Sequence, residues 1–197
     1  MERLGATDAS FLYLESDTVH LHVTGVLLLD PSAAPKPVTF RVLRAHVNSR
    51  LDELPMLRKR LVEVPYGIDH PEWADDPDFD LDDHVDRFRL DRPGSHGQLA
   101  DQISRLASRP LDRSKPLCQL QDIAGFHDAN IAFVVRLHHS LVDGISGVEI
   151  MAHLLDLAPD QGPRPRRKPW KPGPLPVRSD VAADAFRNRL GDPLRPV

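Results

Sequence analysis

The sequence predicts an α/β domain in which a β-sheet is flanked by helices. Residues 117–126 and 131–137 are two apolar runs separated by the polar turn 127–130, a pattern typical of an antiparallel β-hairpin. Two other segments have apolar residues three or four positions apart, which places them on one face of a helix. They are Leu43, Val47, Leu51 and Leu54 in the first segment, and Leu99, Ile103 and Leu106 in the second. With 41% hydrophobic residues among 197, the chain has enough apolar side chains for one core.

The first third of the chain predicts helix, strand and helix in that order. Residues 5–15 predict a short helix with Thr7 or Asp8 as its N-cap. Residues 20–29 alternate at first and then become continuously apolar, which indicates a strand entering the core. Thr39 precedes the first apolar stripe, so we expect its hydroxyl to cap that helix.

The middle third predicts two strands and a well-capped helix. Residues 61–64 and 85–90 have the length and composition of short strands. Ser95 is followed three positions later by Gln98, which predicts a capping box at the start of the helix with the second apolar stripe.

An aspartate-rich stretch between those strands raises the question of calcium, because oxygen ligands recur at alternate positions. Its acids are Asp75, Asp76, Asp78, Asp80, Asp82, Asp83 and Asp86. Counted from Asp76, a calcium loop needs glycine where Leu81 stands and glutamate where Arg87 stands. We therefore expect a solvated loop and no metal site.

The C-terminal part predicts one more core helix and then a change of composition. After Gly144 a helix should turn Val148, Met151, Leu154 and Leu155 inward. The last 39 residues hold nine prolines against ten in the first 158, which predicts an extended linker that begins at Pro159. A further helix could begin at Asp180, but we expect it to have nothing to pack against.

Composition and charge limit the classes of function. Residues 1–160 carry 16 Lys and Arg against 26 Asp and Glu, so the body is a poor nucleic-acid binder. The single cysteine, Cys118, provides neither a disulfide framework nor a cysteine zinc site. Without a secretory leader or a membrane-spanning run, a cytoplasmic location is expected. The basic segment 164–168, with Trp170 and Lys171, is either a solvated linker or a contact to the inner membrane or a lipid droplet.

The residues that best indicate a chemical function lie at the C-terminal end of the predicted hairpin. His138 and His139 are adjacent and are followed by Asp143 and Gly144, which gives the pattern His-His-x-x-x-Asp-Gly. Because successive strand residues face opposite sides, one histidine should enter a cavity while the other turns into the core. We expect His139 to accept a proton from an alcohol as general base and His138 to support it by hydrogen bonding inside the core.

Alternatives to this interpretation remain at the same residues. Asp143 could orient an imidazole, as in a catalytic triad, or serve structurally with Arg136 as its partner. Gly144 would let backbone approach the substrate or adopt a positive φ. Zinc could compete for the two histidines and Asp143, but adjacent strand residues diverge and no further strong ligand follows at helical spacing.

The motif and its flanks resemble the bacterial wax ester synthase/diacylglycerol acyltransferases. These belong to the CoA-dependent acyltransferase superfamily, with chloramphenicol acetyltransferases and peptide-synthetase condensation domains. The resemblance covers residues 1–158. Its flanking segments are Leu4-Gly-Ala-Thr-Asp-Ala-Ser-Phe11, Glu53-Leu-Pro-Met-Leu-Arg-Lys-Arg60, Pro71-Glu-Trp73, Asp76-Pro-Asp-Phe-Asp-Leu81, His84-Val85 and Pro110-Leu-Asp-Arg113.

The resemblance implies a chloramphenicol acetyltransferase-like lobe with a mixed, largely antiparallel sheet. It implies an enzyme that transfers an acyl group from long-chain acyl-CoA to diacylglycerol or a long-chain alcohol, forming triacylglycerol or wax ester. His139 is then the general base, Asp143 is mainly structural, and acyl-CoA is a substrate, with no cofactor. The sequence departs from the family pattern at Cys118 and Gln119, where tryptophan and glutamate are usual, and at Ser140, where alanine is common and the change should be tolerated.

The resemblance also implies a division of the chain. Residues 1–158 are the N-terminal acyltransferase lobe, 159–179 a Pro-rich basic linker, and 180–197 the start of a truncated second lobe or a disordered tail. The expected partners are a separately encoded C-terminal half or a second copy of the chain. The alternative function is a non-catalytic lobe that acts as a binding or scaffolding subunit for such a C-terminal half.

Overall fold

A computed structural model describes residues 1–127, 130–142, 150–156 and 169–191. Its strands are β1 (Glu2–Arg3), β2 (His22–Leu29), β3 (Lys59–Val62), β4 (Glu72–Asp75), β5 (Val85–Arg89), β6 (Cys118–Ala124) and β7 (Ile131–His138). Its helices with complete bounds are α1 (Ala6–Leu14), α2 (Phe40–Arg50), α3 (His96–Ala107) and α4 (Arg178–Gly191).

The larger sheet has the strand order β2-β7-β6-β5. Strands β2 and β6 both pair antiparallel with β7, whereas β5 and β6 are parallel. The predicted β6–β7 hairpin and the mixed, largely antiparallel sheet are therefore confirmed.

Helices cover both faces of this sheet. Val135 and Leu137 on one face of β7 share a buried cluster with Leu51, which directly follows α2. Val134, which points to the other face, packs in a second cluster with Leu99 of α3. Strand β7 is buried along its whole length because it lies between two strands and two helical layers.

A second, smaller sheet has the order β1-β4-β3, and only part of β3 was predicted. Its strands have two to four residues, too few for alternation to stand out in the sequence. Leu61 and Trp73 from this sheet are buried with Leu12 of α1. Leu141, in the turn after β7, packs against the same cluster, so the smaller sheet holds α1 next to the end of β7.

Of the three helices for which the sequence predicts an N-cap, α2 and α3 begin at the predicted residue and α1 does not. Thr39 accepts a hydrogen bond from the Val42 amide, and Ser95 with Gln98 forms the predicted capping box. The predicted cap of α1 at Thr7 or Asp8 is wrong, since Gly5 holds the N-cap position without a side-chain bond. The Leu4 amide donates to the Pro71 carbonyl at 3.0 Å, which holds the chain extended up to that point and lets the helix begin early.

The acidic stretch uses its carboxylates for turns and ion pairs. Asp80 accepts from the Asp82 amide at 2.9 Å, while Asp82 pairs with Arg44. Asp83 pairs with Lys115 at 2.8 Å. Within the described ranges, no group of three or more His, Cys, Asp or Glu side chains is arranged to hold a metal ion.

The helix predicted after Gly144 is seen at its end, in residues 150–154. Leu154 is buried, as predicted, but Leu155 is 40% exposed, so the prediction that it faces the core is wrong. Leu155 follows the last helical residue and therefore leaves the apolar face. Val148 and the predicted boundary at residue 158 lie outside the described residues.

The segment that follows residue 168 is attached to the body, contrary to expectation. Val181 and Ala185 of α4 are buried against Val64, so the prediction that this helix has nothing to join is wrong. The Trp170 ring meets Phe79 edge-on at 5.9 Å, and the Arg58 guanidinium lies 4.9 Å from its centroid. Among the described helices, none combines the length and apolar character needed to cross a membrane.

Candidate active site

Strand β7 ends at His138, which is 1% exposed. Its backbone amide donates to the Leu117 carbonyl at 3.1 Å, and its register partner on β2 is His22. The strand pairing on both sides therefore determines where the first histidine of the motif lies. The predicted burial of His138 in the core is confirmed.

Hydrogen bonds define the tautomer of His138. The Ser140 amide donates to Nδ1 at 3.0 Å, and the Ser140 hydroxyl lies 2.7 Å from the same nitrogen. Because Nδ1 is the acceptor, the ring proton sits on Nε2, which faces Oε1 of Glu15 at 3.5 Å. Burial, opposed by the Glu15 carboxylate, lowers the pKa of His138 to about 4, so the ring is neutral at physiological pH.

His139 occupies a different environment from its neighbour. It begins a single 3-10 turn, residues His139–Leu141, and is half-buried. Its amide donates to the Leu21 carbonyl at 2.9 Å, and its ring stacks on Phe11 of α1 with centroids 4.9 Å apart. The two motif histidines thus separate into a buried, hydrogen-bonded ring and a partly accessible ring beside an aromatic side chain.

Glu15 and Arg113 complete this region, and sequence reasoning missed both as site residues. Arg113 donates to Oε2 of Glu15 through Nε at 3.2 Å and Nη2 at 2.8 Å. Burial opposes ionisation of Glu15, but hydrogen bonding to Arg113 and the nearby charges keep its pKa below the usual value. Sequence analysis could not identify this pair, because the two residues are 98 positions apart and no local spacing rule connects such distant residues.

Ser140 has a larger role than its small size suggested. Serine was expected to be tolerated where alanine is common, and its side chain is indeed accommodated in a buried position, with the hydroxyl in hydrogen-bond range of His138. The hydroxyl and the amide of Ser140 together order the His138 ring.

The remaining motif residues are only partly visible. Asp143 and Gly144 lie outside the described residues, so their predicted structural roles stay predictions. Arg136, suggested as the partner of Asp143, donates to Gln119 at 2.7 Å and to the Arg109 carbonyl. The family departure at Gln119 therefore supplies an acceptor for a buried guanidinium.

Cys118 is placed as a packing residue. It is buried, and burial raises the pKa of its thiol to about 12. Its sulfur donates to the Leu57 carbonyl at 3.6 Å. A protonated, enclosed thiol does not act as a nucleophile, which agrees with the expectation that no acyl-enzyme forms on it.

His20 and His22 lie near the end of β7, and among the residues that the structure describes they belong to no cluster arranged to hold a metal ion. Their rings stack with centroids 6.0 Å apart, and Nε2 of His22 is 3.0 Å from the Ala107 carbonyl. Burial lowers the pKa of His22. Both rings therefore lie in packing contacts.

A cavity of about 320 Å³ borders the turn that contains His139. Ser140 and Leu141 form one wall, and the start of α1 with Met56 and Trp73 forms the others. Arg3 and Lys59 reach this cavity, each paired with a carboxylate of the smaller sheet or its edge. The cavity therefore has mixed polarity and no uncompensated charge from these two cations.

A profile of the wax ester synthase/diacylglycerol acyltransferase catalytic domain matches residues 4–196. The chain belongs to this family. A putative diacylglycerol O-acyltransferase of Mycobacterium tuberculosis is 34% identical to this family member over 195 residues, which are 99% of this chain and 39% of the relative.

Solved structures agree with the fold. The wax ester synthase/diacylglycerol acyltransferase from Marinobacter aquaeolei VT8 superposes with a TM-score of 0.68 and 28% identity, over 100% of this chain and 48% of that one. The starter condensation domain of the rhizomide synthetase RzmA superposes with a TM-score of 0.58 at 15% identity, over 78% of this chain and 37% of that one. The predicted CoA-dependent acyltransferase fold is therefore confirmed, and the chain spans half or less of the length of these relatives.

Proposed function

We propose that this chain supplies the histidine base of an acyl-CoA-dependent O-acyltransferase, with His139 as the base. The observation that carries the proposal is the contrast between the two motif histidines. His138 is enclosed, neutral and hydrogen-bonded through Nδ1, whereas His139 is partly exposed in the turn that follows the strand. Only His139 has a ring that a substrate could approach without unfolding the end of β7.

The proposed reaction is a direct transfer. The hydroxyl of the acceptor gives its proton to the free ring nitrogen of His139, while its oxygen attacks the thioester carbonyl carbon of acyl-CoA. The tetrahedral intermediate collapses, the C–S bond breaks, and the imidazolium returns the proton to the departing sulfur. The products are an oxygen ester and free CoA, and the histidine is regenerated.

The substrate classes follow from the family and from the names of its relatives. We propose long-chain acyl-CoA as donor and diacylglycerol or a long-chain alcohol as acceptor, giving triacylglycerol or wax ester. We propose the cavity beside Ser140 and Leu141 as a substrate cavity, since it borders the turn that contains the base, although His139 itself is not one of its lining residues. A C-terminal-half protein or a second copy of the chain is the proposed partner.

Contact with a membrane or lipid droplet is a further part of the proposal, and its support is limited to the basic tail. Residues 164–168 lie outside the described ranges, while Lys171 is exposed. Trp170, which the sequence suggested for the same contact, packs on the body. We therefore assign any surface attachment to the cations and not to insertion of this ring.

Turnover by the purified chain tests the proposal directly. Labelled palmitoyl-CoA is supplied with diacylglycerol or hexadecanol, and the labelled ester is quantified for wild type, His139→Ala and His153→Ala. His153 is a matched control because it is a half-exposed histidine that pairs with Glu53 at 3.4 Å, away from the motif. General-base catalysis is worth about 10²- to 10⁴-fold, so His139→Ala should lose that much activity and His153→Ala none.

The contrary results are equally clear. Product formed by His139→Ala at the wild-type rate would remove His139 as the base. If wild type makes no product, the assay is repeated with an added C-terminal half. Continued absence of product in that complex contradicts the proposed acyl transfer.

A further inference from the structure

We propose that Glu15 is a positioning residue that holds His139 in place through its contacts with Arg113, Leu21 and His138. The inference rests on the proposed function of His139. Glu15 is the C-cap residue of α1, and its side chain is 11% exposed. A nearly buried carboxylate at a helix end is costly unless its oxygens are occupied, so its partners indicate what it does.

Both carboxylate oxygens are used, and they face different elements. Oε2 accepts two hydrogen bonds from Arg113 in a forked arrangement. Oε1 accepts from the Leu21 amide at 3.3 Å and faces Nε2 of His138 at 3.5 Å. One side chain therefore joins the end of α1, the approach to β2 and the end of β7.

The Leu21 peptide transmits this constraint to His139. Its amide is held by Glu15, and its carbonyl accepts the His139 amide at 2.9 Å. The backbone of His139 is therefore two hydrogen bonds away from the Glu15 carboxylate, and no flexible side chain lies between them.

Helix α1 provides a second route from Glu15 to the same ring. Arg113 donates to the Leu12 carbonyl at 2.7 Å as well as to Glu15, so it holds the last turn of the helix against the body. Phe11 lies in that turn and stacks on His139. Loss of the Glu15–Arg113 pair would thus loosen both the backbone and the ring contact of His139.

The Glu15 carboxylate also interacts with the proton on Nε2 of His138. Since Ser140 directs that proton away from Nδ1, the ring presents an N–H toward Oε1 of Glu15. At 3.5 Å this contact is longer than a normal hydrogen bond, so the carboxylate acts on the buried N–H mainly through electrostatic attraction. Glu15 thereby favours the ring orientation in which His138 completes the end of β7.

Glu15→Gln is the decisive variant, and Glu63→Gln is its matched control. Glu63 also faces Arg113, at 3.8 Å, but its side chain is 62% exposed, and within the described part of the chain it makes no hydrogen bond or ion pair with Leu21 or either motif histidine. In Glu15 the two donors approach different oxygens, and glutamine replaces one of these oxygens with an NH2 group, so either Arg113 or Leu21 then meets a donor and loses its acceptor.

Two readouts separate positioning from general stability. Hydrogen exchange followed by NMR should show the His139 amide exchanging at least about tenfold faster in Glu15→Gln, with amides in the middle of β7 unchanged. In the turnover assay kcat should fall about 10- to 100-fold with little change in KM, because a displacement of about 1 Å at the base has that effect. Arg113→Lys, which keeps one charge but loses the fork, should show a smaller change in the same direction.

Glu15→Gln and Glu63→Gln that match in His139 exchange and in kcat would overturn the inference. Should Glu15→Gln fail to fold, Arg113→Lys decides by the same two readouts. The exchange measurement does not depend on turnover. An inactive wild type or an active His139→Ala therefore counts against the proposed function, whereas an unchanged His139 amide in Glu15→Gln counts against the role of Glu15.

Discussion

The rings of Phe11 and His139 lie 4.9 Å apart at an interplanar angle of 23°. The first belongs to a helix near the N-terminus and the second to the turn after the central strand. A flat apolar ring on one side of an imidazole restricts its rotation while leaving its nitrogens available in the ring plane. The pair is the point where the N-terminal segment and the motif meet.

Replacement of Phe11 should impair catalysis more than stability. Phe11→Ala removes the stacked face, so the His139 ring gains rotational freedom and kcat should fall about tenfold. Leu14→Ala is the control, since Leu14 lies on the same helix and is 67% exposed. Equal kcat values for the two variants would show that the stacked ring does not orient His139.

Stability should fall in mildly acidic solution because of His138. Its pKa is about 4 in the folded chain and about 6.5 when unfolded, so the unfolded state binds more protons between these values. The stabilisation is complete above about pH 6.5 and is lost as the pH falls toward 4, with about 2 kcal/mol gone at pH 5. The charged and titratable groups around the ring are Glu15, Arg113, His139 and His22.

Urea unfolding at pH 7.5 and pH 5 measures how much His138 contributes to the pH dependence of the free energy of unfolding. Wild type should lose about 2 kcal/mol more than His138→Gln over that interval, because glutamine does not titrate. The comparison cancels the contributions of the other histidines, including His22. Parallel losses in the two proteins would show that His138 titrates normally in the folded state.

Cys118 should be inert in the native protein. Because burial raises its thiol pKa to about 12, iodoacetamide at pH 8 should leave it unmodified until the chain is unfolded in urea. Cys118→Ala should retain ester formation in the turnover assay. Rapid native labelling together with inactivation would point instead to a nucleophilic thiol.

Trp170 should stabilise the docked C-terminal segment. Trp170→Ala removes the edge-on contact with Phe79 and the cation–π contact with Arg58, which together are worth about 2 kcal/mol. Thermal unfolding and limited proteolysis should both show the loss, with faster cleavage between residues 169 and 177. Val177→Ala, at a 63% exposed position, should behave as wild type.

Much of the architecture could be predicted because it depends on local patterns. The β6–β7 hairpin, the Thr39 cap and the Ser95–Gln98 capping box each rest on neighbouring residues, and each is confirmed. Burial of one histidine was predicted from alternation along a strand, but β7 is buried on both faces and ends at His138, so the contrast with His139 comes from the turn that follows. The cap of α1 was misplaced because its start is set by the bond from Leu4 to Pro71, which no local rule reveals.

The sequence by itself determined the family, the β6–β7 hairpin and the position of the histidine pair, since periodicity and the motif are local properties. Only the tertiary structure decided what surrounds that pair. Glu15 and Arg113 are 98 positions apart, and α4 packs through Val181 onto Val64, far away in the chain. These contacts are favourable because a buried charge needs a partner and an apolar face needs to be covered. Burial arises only in the folded chain, so local sequence patterns do not reveal such contacts.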